Sequence, residues 1–574
     1  MKANTCRSVA LCLAFLFGTS LFGQTSAPAA QSMNTDVAAL KAQLAEQQKE
    51  IDALKAAIAE QSMLLKKTTA APTEPGTTAA GQPNKDDFAL PRDKALGDVA
   101  STTPIVPSIA PVIAPVVNRG QAPAGNGNPC NAPLDTNAVP PYIRLGSVCA
   151  VPIGFVDATF VGRDKASGSG IGTNFGSVPF NNTVAGNLSE TRFSIQNSRL
   201  GFRIDGDWKG THFIGYNEFD FLGTSGADNI NVTNGAVVPR LRLYWVDARK
   251  GNWEFLAGQS WSMLTPNRVG ISPLPGDLFY TQVMDVNYVV GLTWSRQPGF
   301  RVLYHFGDKA VWGLSAEESD PYMGGSSGGS TVVLPSAYTA LSGSQLDAAN
   351  ISNPYNLPQL TPDFITKFAV DPSSRFHAEV AGVLSTFKIL NPNSPGLQLG
   401  QTNSKVGGGI QVGINGEIVH GLRLFTSNFW SDGDGRYLFG TAPDVVVNAN
   451  GTLSLLHAGG TLDGFEARVH PKLLLFAYYG GVYVGRDVVI DTNGKLVGYG
   501  YTGSNQNRAM EELTGGFNQT VWGDPRYGAI NIIGQYEWAF RAPWYAAPGS
   551  PINAHDNTVY LDIRYTLPGS IPKF

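Results

Sequence analysis

The sequence predicts an all-β fold: a transmembrane antiparallel β-barrel of about sixteen strands, preceded by an N-terminal coiled-coil helix and a Pro-rich linker. Three observations predict it. Charged residues make up only 15% of the 574 residues, while hydrophobic residues are an ordinary 43% and aromatics 10%. The aromatics are also unevenly placed: all 10 Trp and all 20 Tyr lie from Tyr142 onward, and only Phe15, Phe17, Phe22 and Phe88 precede it. Beyond that point, short segments alternate apolar and polar residues with period two, separated by clusters of Gly, Asn, Asp, Ser and Pro. After the first two dozen residues no apolar run reaches the ~18 residues a membrane helix needs, so a closed barrel is the one way to span a bilayer. Length alone would suggest about four ordinary domains. Composition excludes a polytopic helical membrane protein, a highly charged disordered chain and a nucleic-acid binder relying on net positive charge.

The first element is a secretory signal peptide over 1–23. Lys2 and Arg7 form its basic start, Ser8 to Gly23 carry no charge, and small residues from Gly23 to Ala30 offer cleavage sites. The alternative is an uncleaved membrane anchor. Cleavage removes two positive charges and takes the net charge from -4 to -6. It also removes Cys6 and Cys12. Cys130 and Cys149 remain, an even pair for an oxidising compartment, and a disulfide between them is expected over two free thiols.

Residues 35–66 follow as a periplasmic coiled coil. Val37, Leu44, Ile51, Ile58 and Leu65 recur every seventh position, and Leu40, Gln47, Leu54 and Gln61 fill the complementary ones. A lone amphipathic helix of this length is marginal in water, so self-association is the better reading. The alternative is a single helix lying on another domain. Residues 67–141 form a Pro/Ala/Thr-rich linker. Pro104 to Val117 (PIVPSIAPVIAPVV) reads as extended polyproline II, which reaches ~3.1 Å per residue.

The barrel occupies 142–574. Leu200, Phe202 and Ile204 share one face while Arg199, Gly201, Arg203 and Asp205 share the other. Val559, Leu561, Ile563 and Tyr565 oppose Tyr560, Asp562 and Arg564 in the same way. The polar face is too charged for a dry core, which disfavours a soluble sandwich or propeller and suits a water-filled lumen with the apolar face toward lipid. The strands are expected near 152–162, 191–205, 209–222, 238–249, 252–260, 288–306, 310–318, 362–370, 375–388, 402–418, 421–431, 460–470, 472–485, 513–522, 526–542 and 556–567. The connections between them alternate short and long, as outer-membrane barrels require. That pattern needs 288–306 to be one strand kinked at Pro298-Gly299. The chain closes on Phe574, and Pro568 and Pro572 interrupt the alternation before it.

These segments resemble the DcaP-like outer-membrane porins. The resemblance rests on Phe193-Ser194-Ile195-Gln196-Asn197-Ser198-Arg199-Leu200-Gly201-Phe202, on Leu256-Ala257-Gly258-Gln259-Ser260-Trp261-Ser262, and on Arg296-Gln297-Pro298 continuing to Arg301 and Tyr304. It covers most of 190–310. It implies a homotrimeric porin with a coiled coil before the barrel, passing small and often anionic solutes such as dicarboxylates. The long Pro-rich linker and the loop at 319–361 depart from the family pattern.

A channel needs a constriction, which an inward loop and charged wall residues supply. The third long loop, 261–287, carries Arg268, Asp277 and Asp285, stiffened by Pro266, Pro273 and Pro275. Arg199, Arg203, Arg240, Arg242 and Arg301 are expected to project into the lumen from neighbouring strands, with Glu218 and Asp220 facing them from the third strand. Arg holds carboxylates bidentately and keeps its charge, so the Arg excess favours anions.

Enzymatic signals are weak. Gly325-Ser326-Ser327-Gly328-Gly329 satisfies G-x-S-x-G but lies in a Ser/Gly-rich loop without strand-to-helix context. No H-E-x-x-H occurs, and no cofactor or metal is expected. The expected function is a non-enzymatic outer-membrane channel for passive diffusion of small hydrophilic solutes, in contact with outer-membrane lipid and without nucleic acid. The alternative is a structural barrel tethered to the cell wall or a periplasmic partner through its coiled coil.

Overall fold

A computed structural model describes residues 143–223, 238–324, 329–338, 360–524 and 527–568. The signal peptide, the coiled coil, the linker and Phe574 lie outside the described residues. So do Cys130 and most of the G-x-S-x-G segment. Cys149 itself is disulfide-bonded.

Sixteen antiparallel staves close into one barrel. They are β1 (Val148–Arg163), β2 (Glu190–Ser194 and Arg199–Trp208), β3 (Thr211–Gly223), β4 (Val238–Lys250), β5 (Trp253–Trp261), β6 (Arg296–His305), β7 (Ala310–Glu317), β8 (Asp363–Ser373), β9 (Phe376–Leu390), β10 (Thr402–Val419), β11 (Leu422–Asp432), β12 (His457–His470), β13 (Leu473–Val484), β14 (Asn507–Asp524), β15 (Gly528–Pro543) and β16 (Ala554–Thr566). Each pairs with its sequence neighbour. β16 returns to β1 in register Phe155↔Thr566 through Arg163↔Thr558, so no edge is left open.

The alternation read from the sequence sets the two faces. In β16, Val559, Leu561 and Ile563 are about half exposed, while Tyr560, Asp562 and Arg564 between them are buried. The same outward apolar row runs through Phe364 and Phe368 on β8, Ile410 and Val412 on β10, and Leu424 and Trp430 on β11. Trp208, Trp253, Trp522 and Tyr527 stand exposed at the short-turn end, where a membrane barrel carries its aromatic girdle. One inward pair stitches the closure: Arg564 Nε and Nη2 donate to Asp157 at 2.7 and 2.8 Å, across a matched β1–β16 position.

Two staves depart from simple alternation. β2 breaks at 195–198, where Asn197 Nδ2 donates to Asp157 Oδ2 at 2.7 Å and the Asp157 N–H donates to Ser198 Oγ at 2.9 Å. These side chains turn inward, and the strand hydrogen bonds give way to them. β4 has a bulge: Glu218 pairs with Leu243 and Phe219 with Leu241, so Arg242 is the extra residue. Arg242 and Leu243 both face inward as a result, and the parity resets for Trp245 and Asp247.

The strand expected at 288–306 is a correction. Only its second half, from Arg296, joins the wall. Tyr288 has φ +64° and Gly291 φ +89°, which a strand does not accommodate. The stretch 288–295 instead continues the third long loop, which therefore runs 262–295. Two loops carry small hairpins that alternation did not reveal: Val445–Val447 with Leu453–Leu455, and Asp487–Ile490 with Leu496–Tyr499.

Candidate channel constriction

The third loop turns into the barrel and is held by the inner wall nearly all the way round. Its backbone N–H groups donate to wall carboxylates: Met263 to Glu317 on β7, Gly270 to Asp371 on β8, Asn267 to Glu379 on β9 and Val290 to Glu512 on β14, all at 2.9–3.1 Å. Gln282 N–H donates to Tyr478 Oη on β13 at 3.1 Å, and Met284 N–H to Gln535 on β15. Asp285 accepts from Tyr560 Oη on β16 at 2.9 Å and from the Thr173 N–H at 2.8 Å. These are polar wall residues that a strand places every second position. They satisfy a loop backbone that would otherwise lie buried without partners.

Apolar packing reinforces the hydrogen bonds. Leu278, Phe279, Tyr280, Val283, Val289 and Leu292 of the loop pack with Leu256, Phe425, Leu462 and Phe476 of the wall. Phe279 stacks on Phe425 with centroids 3.5 Å apart. Close approach depends on glycine on the wall: a Cβ on Gly480 would lie 1.9 Å from the Val290 carbonyl. The expected open lumen is thus filled by the loop along β7–β16. A second cluster joins loop residues Phe175, Val178, Met323, Tyr437, Leu438 and Tyr499 above it at the long-loop end.

The predicted arginines divide into two groups. Arg199, Arg240 and Arg242 gather with Glu218 and Asp220 on β2–β4. Arg242 donates to Glu218 Oε1 at 2.5 Å, to Asp220 Oδ2 at 2.8 Å and to Tyr288 Oη at 3.2 Å. Arg240 grips Asp220 bidentately at 3.0 and 2.7 Å. Arg199 lies 3.8 Å from Glu218 and over the Phe155 ring. The two acids therefore stand beside the arginines and pair with them; they do not form an opposing wall. Arg203 sits toward the short-turn end and pairs with Asp205.

The others serve structure. Arg301 donates to the Trp261 carbonyl at 2.5 Å and to Ser260 Oγ at 3.1 Å, pinning the end of β5. Arg268 forms a bidentate pair with Glu466 on β12 at 2.8 and 2.6 Å and stacks over Phe279 at 4.1 Å. Burial works against the Arg268 charge, but Glu466 and the nearby Tyr478 and Tyr280 outweigh it and raise its pKa. Asp277 is half-buried, and its carbonyl accepts from the Arg268 N–H at 2.7 Å. Asp285 faces β16, not the arginines.

Sequence reasoning missed Arg296, Tyr288 and Trp294 as parts of the site. Arg296, quoted above only for the resemblance, stacks over Trp261 and Trp294 at 5.5 and 5.4 Å. Its electrostatic neighbours include Arg242, Arg240, Tyr288 and Asp220, so it belongs to the arginine group. Tyr288 enters from the loop. Trp261 and Trp294 enclose it at 5.8 and 5.3 Å. Period two marks strand residues only, so nothing in it pointed to a loop aromatic.

The chain is similar in fold to the outer-membrane channel DcaP of Acinetobacter baumannii. The TM-score is 0.53 at 16% identity, over 74% of this chain and 98% of that one. It also aligns with an anion-selective porin from Comamonas acidovorans (TM-score 0.40, 10% identity, 73% and 99% of the two chains). OmpT of Vibrio cholerae aligns at TM-score 0.37 and 8% identity, over 74% and 99%. No family model matches the sequence, and no curated protein matches it.

Proposed function

We propose that this protein is an outer-membrane porin for passive diffusion of small hydrophilic solutes, favouring small anions such as carboxylates. The observation that carries the reading is the inner surface of β2–β6. Arg199, Arg240, Arg242 and Arg296 gather there around Glu218 and Asp220, beside a loop that narrows the lumen. Guanidiniums keep their charge and recognise carboxylates through paired N–H donors. The half-exposed apolar exterior suits a lipid-facing wall, and the fold shared with DcaP supports the same location. With both chain ends on the periplasmic side, the long loops face outward. We further propose a homotrimer, with 35–66 as its periplasmic coiled coil and Cys149 bonded to Cys130.

Purified protein in a planar bilayer should give stepwise conductance, and a salt gradient should give an anionic reversal potential. Folded protein without channels sinks the porin reading. A cationic reversal potential sinks the anion preference alone. Deletion of 35–66 tests the tether reading: solute flux that persists while envelope integrity fails would make tethering the main role.

A further inference from the structure

The arginine group is not fully occupied by its acids. Arg242 uses its donors on Glu218, Asp220 and Tyr288, and Arg240 is engaged with Asp220. Arg199 Nε and Nη2 and Arg296 Nη1, by contrast, are buried with no hydrogen-bond partner among the described residues. Buried guanidinium N–H groups left unpaired are costly, and they are the donors an anion would satisfy.

The Tyr288 side chain stands at this position. Its phenol oxygen accepts from Arg242, and Arg199, Arg242 and Arg296 all act on it electrostatically. Burial raises the phenol pKa, but the three guanidiniums outweigh it and the net shift is downward. The ring is 1% exposed and packs edge-on to Trp294. Its backbone occupies the left-handed region, which residues with a Cβ avoid. A turn enforces that conformation: the Tyr288 N–H donates to the Asp285 carbonyl at 3.1 Å, and the Asn287 N–H to Asp285 Oδ1 at 2.6 Å. Asp285 is in turn fixed by Tyr560 and Thr173. Such strain persists only because the surroundings hold it, and leaving the conformation relieves it.

We propose that Tyr288 is a solute-displaceable gate, its phenol oxygen filling the place of an anion oxygen on the Arg199–Arg242–Arg296 set until a carboxylate takes that place. The inference rests on the porin reading and adds the solute class. Trp261, Trp294 and Tyr280 border the guanidiniums. The favoured solute is therefore a carboxylate on a flat apolar body, preferred over a bare inorganic anion that cannot compete with the phenol.

The test uses full-length protein in planar bilayers, with potassium chloride and potassium benzoate as probes. Bi-ionic reversal potentials give the benzoate-to-chloride permeability ratio. Wild-type protein should show a ratio above that of the free-solution mobilities. Tyr288→Ala should raise chloride conductance and drop the ratio to the mobility value. Tyr288→Phe, which keeps the ring and loses the oxygen, should lower the benzoate concentration giving half-maximal current. Tyr288→Gly suits the left-handed backbone and serves if the Ala variant fails to fold. Unchanged conductance and ratio in both Ala and Gly variants would overturn the gate. Wild-type channels without benzoate preference would overturn the solute class, whereas wild-type protein without channels would overturn the porin reading itself.

Discussion

Arg268→Ala should release the third loop from the wall while leaving the barrel folded. Arg268 is 8% exposed, Glu466 is 1% exposed, and two hydrogen bonds of 2.8 and 2.6 Å join them. Removing the arginine leaves Glu466 with the Tyr478 hydroxyl at 2.8 Å and a long contact from Gln282 at 3.4 Å. Breaking a buried pair from one side costs about 3–5 kcal/mol, because a charge stays buried without its partner. Loss of the Arg268–Phe279 stack adds about 1 kcal/mol. The loop can answer by leaving the wall and letting water reach Glu466, so the cost falls on docking. Even 3 kcal/mol moves the docked-to-undocked ratio by about a hundredfold. Single-channel recording should show larger and noisier openings, with heat-modifiable gel mobility unchanged. Arg268→Ala/Glu466→Gln should recover much of the quiet behaviour, because position 466 then carries no charge that needs Arg268, and Arg423 opposite it keeps its contact with Asn415. Wild-type conductance and noise in Arg268→Ala would refute the view that this pair holds the constriction.

Three further outcomes follow from the same geometry. Gly480→Ala puts a Cβ 1.9 Å from the Val290 carbonyl and 2.7 Å from Val289, so it should enlarge the pore by displacing 288–292, read as increased conductance. Asp157→Asn breaks the Arg564 pair at the β1–β16 closure and should lower the barrel's thermal stability by about 3 kcal/mol, read from the temperature of the gel-mobility shift. The loop between β11 and β12, residues 433–456, should loosen as pH rises. Burial, then the neighbouring Asp444 and Asp363 against Arg436, push Asp434 from 3.8 up to about 7. Its protonated form therefore favours docking, fully below 3.8 and lost as pH rises through about 7. Protection over 435–456, measured as exchange relative to the intrinsic rate at each pH, should be lower at pH 8 than at pH 5, and Asp434→Asn should shrink the difference, leaving the part due to Asp444, which burial pushes up to about 6.

The wall was legible because period two is a local signal. The β8 expected at 362–370 is Asp363–Ser373, and the β11 expected at 421–431 is Leu422–Asp432. Each needed only its own residues to be read. The loop interior was not legible for the same reason. Residues 288–295 contain Tyr288, Val289, Val290, Leu292 and Trp294, apolar enough to pass for strand. What makes them loop is a non-local fit: a Glu512 acceptor, a glycine at 480 and a turn anchored by Tyr560.

The same asymmetry explains why the predicted arginines scattered. Facing inward is a property of parity, so Arg199, Arg242 and Arg301 could all be assigned to the interior from sequence. What an inward charge does depends on the group opposite it, and those groups come from other strands and from the loop. Arg301 meets a carbonyl at the end of β5 and becomes a strut. Arg268 meets Glu466 and becomes an anchor. Arg199 meets Glu218 only at 3.8 Å and keeps two N–H groups without a hydrogen-bond partner among the described residues. In the filled part of the lumen, by contrast, loop N–H groups have taken Glu317, Asp371, Glu379 and Glu512. Each of these acids fixes the loop through one oxygen. The proposed anion preference would thus rest on the loop as well as on composition: the loop engages acids of one wall, while N–H donors of Arg199 and Arg296 on the other stay without a hydrogen-bond partner among the described residues.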